Sequence, residues 1–328
     1  MLRFCYLFEN RDLALMLLKN WNYDVDSEEL FQYFRISANA IYPARINGEV
    51  CYLRFSPVSE KYENNMLAEL AFLNYLHKQN YPAIQVVPSK NQEELVKKQT
   101  PWGEYYASVF RKVEGKQISQ TDLNEKSMFL FGETLGELHA LSRQYENPDI
   151  KRWSHNDVMN WIESTLLSLK LDSDGIRELE FLRKKLNELP ITKENYGLIH
   201  FDFEPDNIFY DELRGSCGVI DFDDAMYHWY VMDIVQAIDA IKHETGKDDI
   251  SELRSVFLNG YRSKYFVDEN LLSKEKLFRR FANLYQYARV ARVLQERWEN
   301  EPKWMVNLRI KLERTLDCIS ALFGEDFV

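Results

Sequence analysis

The stretch LIHFDFEPDNIFYD, Leu198 to Asp211, sets a histidine, a glutamate, an asparagine and several aspartates among isoleucines, phenylalanines and a tyrosine. Carboxylates in an apolar, strand-like segment are costly to bury unless a cation or hydrogen-bond donors compensate them. The segment therefore implies a cation beside it. Short strand runs follow in NIFYD and GVIDFDD, and DELRGSCG between Tyr210 and Val219 carries the glycines of a hairpin connection. Asp202 and Asn207 precede the first strand of that hairpin and Asp221 ends the second, so all three side chains meet at one end. An amide oxygen with one or two carboxylates is enough for Mg2+, a hard ion that keeps several of its waters.

The spacing of His200, Asp202 and Asn207 fits the H-x-D-x-x-x-x-N catalytic loop of kinases, and Asp221 follows at the distance of the metal-binding aspartate beyond the hairpin. In that template Asp202 is the base that accepts the proton of an attacking hydroxyl, while Asn207 and Asp221 hold Mg2+ against a triphosphate. A lone Asp-x-x-x-x-Asn would carry little weight, because both residues are common in turns. The joint pattern of strand, HxD, Asn, hairpin and VIDFDD carries the reading. His200 by itself reads as a buried packing histidine.

A kinase also needs a cation on a strand of its small lobe and a carboxylate on the next helix. In EVCYLRF, period-two alternation puts Cys51, Leu53 and Phe55 on one face and Val50, Tyr52 and Arg54 on the other. Arg54 is the candidate cation. In NNMLAELAFLNYLHKQ, Glu69 lies on the apolar stripe of Met66, Phe72, Leu73 and Leu76, where a carboxylate wants a partner.

The elements that must position these residues divide into two halves. Phe31 to Ile118 reads as strands with a turn at Asn47-Gly48, then one helix, then another strand pair in EYYASVFRKVEGKQI. From Leu123 helical patterns dominate, among them KSMFLFGETLGELHALSRQY, NDVMNWIESTLLSLK, SDGIRELEFLRKKLNELP, MYHWYVMDIVQAIDAIKHE and KEKLFRRFANLYQYARVARVLQERWE. The catalytic hairpin is embedded among them. The expected boundary lies near Gly115 to Asp122, with Asp122 near the start of a helix, giving lobes of 1–114 and 115–328. Met1 to Asn20 reads as a short amphipathic helix unlike a signal peptide. At 328 residues, with 45% hydrophobic and 28% charged residues, the chain has material for a large core. Its net charge of −11 argues against nucleic acid as a partner. No apolar run approaches the roughly 20 residues of a membrane span, and four scattered cysteines without CxxC spacing point to reduced thiols in the cytoplasm.

At these residues the chain resembles the aminoglycoside phosphotransferase and choline kinase group of small-molecule kinases. The resemblance rests on LRF with Arg54, AEL with Glu69, FRKVEGKQI, LGELHAL, HFDFEPDN, VIDFDD and MDIV. It implies an α+β, two-lobed protein-kinase-like fold, with a small sheet-rich N-terminal lobe and a larger, mainly helical C-terminal lobe. By the same resemblance adenine would meet the hinge backbone near Arg111 and Val113, Asp233 would buttress the catalytic loop, and Asp223 would be a second carboxylate at the metal. Three features depart from the wider kinase pattern. The strand cation is arginine, a planar fork where lysine gives a point charge. The phosphate-covering segment ISANAIYPAR has no glycine, so Ser37 and Asn39 are the expected phosphate contacts. No glycine follows Asp221-Phe222-Asp223, and AMYHWYVMDIV reads as helical almost at once, leaving no activation segment.

The expected activity is Mg2+-assisted transfer of the γ-phosphoryl group of ATP, with GTP open, to a hydroxyl of a small molecule such as an aminoglycoside or another amino or sugar alcohol. A protein serine/threonine kinase and a non-catalytic nucleotide-binding scaffold are the alternatives. Acceptor walls are expected from AMYHWYVMD and the FANLYQYARVARVLQERWENEPKWM stretch. Tyr227, Trp229, Tyr230, Tyr285 and Tyr287 there read more as packing than as a substrate cage, while Glu296, Glu299 and Glu301 would suit a cationic alcohol.

Overall fold

The computed structural model describes residues 1–170 and 173–324. Alternating apolar residues in AIYPARI and EVCYLRFSP build the centre of the N-terminal sheet. Its strands are β1 (Arg35–Ile36), β2 (Ala40–Ile46), β3 (Glu49–Pro57), β4 (Val86–Val87), β5 (Val96–Thr100) and β6 (Gly103–Arg111). The order is β1-β2-β3-β6-β4, with β5 also on β6 and all pairs antiparallel. Asn47 and Gly48, both at positive φ (54° and 80°), make the tight β2–β3 turn that the sequence signals.

Helix α1 (Arg11–Leu18) is shorter than the expected N-terminal helix, because Asn10 caps it by accepting from Leu13 N–H. It packs Leu13, Leu17 and Leu18 with Trp21, Phe31, Tyr42 and Leu53 under the sheet. Helix α2 (Glu63–Lys78) faces the other way: Phe72, Leu73 and Leu76 join a core that runs into the larger lobe through Phe131, Phe203 and Phe222. Each such fully buried side chain stabilises the fold by ~1.5–3 kcal/mol. The first core thus belongs to the small lobe, and the second fastens the lobes together.

The expected second strand after β6 does not fold back on it. VEGKQI leaves the sheet, and β7 (Lys116–Gln117) pairs instead with β9 (Ile208–Asp211), which pairs in turn with β10 (Ser216–Val219). The connection between lobes is thereby stitched to the catalytic hairpin. A second correction concerns MYHW. It is a strand, β11 (Met226–Trp229), paired with β8 (Tyr196–Ile199), and the pairing leaves His228 and Trp229 fully buried. The helix begins only after it.

The remaining helices are α3 (Glu125–Ser142), α4 (His155–Ser168), α5 (Ser173–Asn187), α6 (Val231–Thr245), α7 (Ser251–Arg262), α8 (Glu269–Leu272), α9 (Glu275–Leu294) and α10 (Lys303–Ser320). Asn124, two residues beyond the expected Asp122, caps α3 in a reciprocal box with Ser127. Helices α3 and α7 cross where Gly132 and Gly260 meet the opposite backbone. A Cβ at Gly132 would lie 1.9 Å from Phe257 O, and one at Gly260 would lie 2.0 Å from Phe129 O. Among the described residues no helix is long and apolar enough to cross a membrane.

Candidate active site

The hairpin delivers the geometry that its sequence predicts. Val219 pairs with Ile208, and Ile220 N–H donates to Asn207 O at 3.0 Å, so Asn207 and Asp221 stand side by side at the open end. Asn207 Nδ2 donates to Asp202 Oδ2 at 2.8 Å and to Asp202 O at 2.9 Å, which ties the loop into one unit. These bonds use the amide nitrogen of Asn207 and leave its oxygen as a donor atom for a ligand.

The loop backbone is held from beneath. Asp233, on the first turn of α6 and fully buried, accepts from His200 N–H at 2.8 Å and from Phe201 N–H at 2.7 Å. His139 Nε2 lies 3.1 Å from the same carboxylate, and His139 Nδ1 is 2.8 Å from the Tyr261 hydroxyl. Asp233 therefore buttresses the loop through main-chain bonds. This support matters because Phe201, just before Asp202, has φ 64° and Asp221 has φ 65°, a conformation costing ~1–3 kcal/mol for a residue other than glycine. His200 is a packing residue: it is fully buried, Nε2 donates to Ile220 O at 2.8 Å, and Nδ1 accepts from Asp202 N–H at 3.2 Å. Burial lowers its pKa, so the ring is neutral.

Across the cleft, Arg54 Nη1 donates to Glu69 Oε1 and Nη2 to Glu69 Oε2, both at 2.7 Å. The pair is bidentate and deeply buried, with Arg54 7% and Glu69 2% exposed, and the guanidinium carbon sits 4.6 Å from the centre of the Phe110 ring. The expected partnership between strand and helix is present.

A cleft of about 660 Å3 between the lobes joins the two halves of the site. Arg54, Glu69, Ser37, Asn39, Arg111, Val113, Asp202, Asn207, Asp221 and Asp223, the residues expected from the sequence at the nucleotide, the metal and the base, line it. At the hinge, Arg111 N–H is bound to Gln85 O at 2.8 Å and its side chain pairs with Glu49 at the surface. Among the described residues Val113 N–H makes no backbone bond to a turn or loop, and it remains available to a ligand. Ile84, Phe110, Phe209 and Ile220 give the cleft an apolar part beside this hinge.

The carboxylates at the hairpin end are not equivalent. Burial, followed by the negative charges of Asp224, Asp221 and Glu204, pushes the Asp202 carboxyl well above the ordinary range. Asp221 opens to solvent in the cleft, yet the surrounding protein removes part of its hydration and Asp223 repels it, so its pKa rises to about 6. Asp223 moves the other way. Burial works against its charge, but Lys61 and Arg54 hold it well below the usual range. Its Oδ2 accepts from Lys61 Nζ at 2.5 Å and from Asn39 Nδ2 at 3.0 Å. Asn39 is thus used to fasten the phosphate-covering segment to the Asp221–Asp224 turn, whereas Ser37 is exposed. Among the described residues no three His, Cys, Asp or Glu side chains form a metal cage. The oxygen donors of Asn207 and Asp221 nonetheless suit an ion that retains water, and crowded carboxylates with raised pKa values are the environment a divalent cation relieves.

A smaller cavity of about 360 Å3 adjoins the cleft and shares Asp223, Asp224 and Arg289 with it. Tyr285 lines it, while Trp229 and Tyr230 are core residues and Tyr287 packs on Phe323, the packing role that the sequence favoured for these aromatics. The acidic side chains expected to favour a cation are elsewhere: Glu296 accepts from Cys5 N–H and Trp298 Nε1, and Glu301 pairs with Arg309. Lys61, Arg152, Trp153, Trp161 and Arg292 were not picked out from the sequence. The only signal was on α9, where Tyr285, Arg289 and Arg292 recur at i, i+4 and i+7 on one face.

Two lobes and a loop and hairpin held at their junction define a fold of the protein-kinase-like, α+β class. The profile of the phosphotransferase enzyme family matches residues 42–270, and the chain belongs to that family. Amicoumacin kinase of Bacillus subtilis (strain 168) is 26% identical over 218 residues, covering 63% of this chain and 62% of that protein's length. Among solved structures, an amicoumacin kinase in complex with AMP-PNP and Ca2+ aligns with a TM-score of 0.75 at 21% identity, covering 96% of this chain and 94% of that one. A microcompartment-associated aminopropanol kinase aligns with a TM-score of 0.67 at 20% identity, covering 95% and 97%. A spectinomycin phosphotransferase in complex with ADP and spectinomycin gives 0.60 at 14%, covering 96% and 99%. At these identities the likeness establishes the fold.

Proposed function

We propose that the protein transfers the γ-phosphoryl group of ATP to a hydroxyl of a small molecule. The observation that supports this most is the meeting of Asp202, Asn207 and Asp221 at one hairpin end, facing the buried Arg54–Glu69 pair across a cleft. The acceptor oxygen forms a bond to the γ-phosphorus while the bond from that phosphorus to the β-bridging oxygen breaks, and ADP leaves with that oxygen's electrons. Asp202 orients the hydroxyl and takes its proton. Asn207 and Asp221 would hold Mg2+, with Asp223 as a further carboxylate once it parts from Lys61; the ion supplies neutralisation of the phosphate charge. Arg54, fixed by Glu69, neutralises the phosphates on the side of the small lobe.

Val113 N–H and the backbone at Arg111 form the adenine edge, and Ser37 with Asn39 covers the phosphates. Residues 1–114 act as the nucleotide-binding lobe and residues 115–328 as the catalytic and acceptor-binding lobe. The relatives bring amino and sugar alcohols forward as acceptor candidates. A peptide is a poor candidate, because β11 follows the Asp221–Asp224 turn directly and leaves no activation segment. The four cysteines are free, which agrees with a cytoplasmic setting where ATP is present.

Asp202→Ala tests the assignment. Turnover should fall by ~10²–10⁴-fold, the usual contribution of a positioned base, with Mg2+-dependent AMP-PNP binding retained. Full activity in the variant would remove Asp202 from the mechanism.

A further inference from the structure

The cavity beside the nucleotide cleft carries a charge pattern that bears on the acceptor. Four cations line it: Lys61, Arg152, Arg289 and Arg292. Three carboxylates face them, Glu60, Asp223 and Asp224, which leaves a formal surplus of one positive charge (4 − 3). Each of those acids is already matched within the chain. Glu60, its side chain 1% exposed, takes Arg3 at 2.5 Å and Arg292 at 2.9 Å. Asp224 takes Arg289 at 2.6 Å, and Asp223 takes Lys61. Arg152 has no carboxylate of its own. Its guanidinium, 7% exposed as a residue, donates to the neutral carbonyls of Asn65, Asp223 and Ala225.

An ammonium group entering this cavity meets four cations, and although Glu60 Oε2 accepts no hydrogen bond, each acid there is already ion-paired. The aromatic wall does not replace one, because the Arg289 guanidinium carbon lies 5.1 Å from the Tyr285 ring centre and occupies that face. An anion would balance the surplus charge. Arg289 and Arg292, one turn apart on α9, carry planar forks suited to a carboxylate; Asp224 and Glu60 already engage part of each fork, so an incoming carboxylate shares them, and the Nε of Arg292 is buried without a hydrogen-bond partner. The Tyr62–Trp153 pair, with ring centres 4.3 Å apart, and Trp161 supply a surface for an apolar body. Its volume lies within the ~300–1,000 Å3 usual for small-molecule sites.

We propose that the acceptor is an anionic alcohol, a hydroxy acid with an apolar or aromatic body, whose carboxylate is read by Arg289 and Arg292. This rests on the phosphotransferase reading above and narrows its acceptor away from amines.

Three probes share one benzyl carbinol and differ in a single group: 3-phenyllactate, 3-phenylpropane-1,2-diol and 1-amino-3-phenylpropan-2-ol. Their binding is measured on the full chain by thermal shift with Mg2+ and AMP-PNP present, after the AMP-PNP shift has been recorded alone. The acid should bind at least tenfold more tightly than the amine. Arg292→Gln should cut that preference, and Arg292→Lys, which keeps the charge, should retain most of it. Equal binding of the three, preference for the amine, no binding of the acid, or a preference unmoved in Arg292→Gln would overturn the proposal. Absence of any Mg2+-dependent AMP-PNP shift is a different result, since it removes the phosphotransferase reading itself.

Discussion

Arg54 and Glu69 can be separated from each other by a double-mutant cycle that needs no knowledge of the acceptor. Both side chains are nearly inaccessible, and both arms of the bidentate contact are 2.7 Å. Arg54→Met leaves a carboxylate buried without its cation, and Glu69→Leu leaves a guanidinium buried without its anion. Each single change should lower unfolding free energy by ~3–5 kcal/mol, the cost of orphaning one member of a buried pair. The double variant replaces both charges with apolar volume and should lose much less than the sum, giving a coupling of at least ~2 kcal/mol. Urea unfolding of the metal-free protein measures the three differences. The same samples then report function: the double variant, though restored in stability, should show no thermal shift with Mg2+ and ATP, because Arg54 is absent. Additive single effects would refute the energetic reasoning, and a normal nucleotide shift in the double variant would refute the assignment of Arg54.

Three further outcomes follow from the geometry. Asp221→Asn should abolish the Mg2+-dependent part of the ATP thermal shift, and an unchanged magnesium titration would count against its role as a ligand. Asp233→Asn removes one acceptor from the two main-chain bonds under the catalytic loop; it should lower stability by ~1.5–3 kcal/mol, the range for a charge-assisted bond, and reduce turnover more than nucleotide affinity, which steady-state kinetics on a working acceptor will separate. His155 is buried, and desolvation lowers its pKa to about 4 from 6.5. The unfolded chain therefore binds the extra proton between those values, so this contribution is present above pH 6.5 and lost as pH falls toward 4. It amounts to ~3 kcal/mol, and the pH dependence of urea unfolding should flatten by about that much in His155→Gln.

Much of the site was legible because its residues are close in sequence. Asp202, Asn207 and Asp221 lie on one hairpin, whose turn glycines and strand runs fix their juxtaposition before any tertiary contact is considered. Arg54 and Glu69 were legible for a different reason: alternation on a strand and an acid on an apolar helical stripe each signal a charge in need of a partner. The failures share a cause as well. MYHW has the spacing of a helix, but β8 offers it an edge to pair with, and pairing between segments far apart in sequence leaves no local mark. Lys116 and Gln117 stitch the hinge to the hairpin, and their pairing with Tyr210 and Phe209 was invisible for the same reason. Lys61, Arg152 and Arg292 are far apart in sequence, and only the folded chain sets them around one cavity.

The two left-handed residues explain why the support beneath the loop is so complete. Phe201 and Asp221 each sit beside or within the catalytic set at positive φ, and neither has glycine's freedom. Relaxing either backbone would turn Asp202 away from Asn207, or Asp221 away from the hairpin end. Asp233 opposes the first relaxation by holding the N–H groups of His200 and Phe201, and Gln236 Nε2 adds a bond to Phe201 O at 2.9 Å. The second is opposed from outside the turn, where Arg152 reaches the carbonyls of Asp223 and Ala225 together with that of Asn65 on α2. The same guanidinium thereby links the Asp221–Asp224 turn, the small lobe and the smaller cavity, so a change at Arg152 should be felt in all of them, whereas a change at Asp233 should be felt in the Asp202 loop.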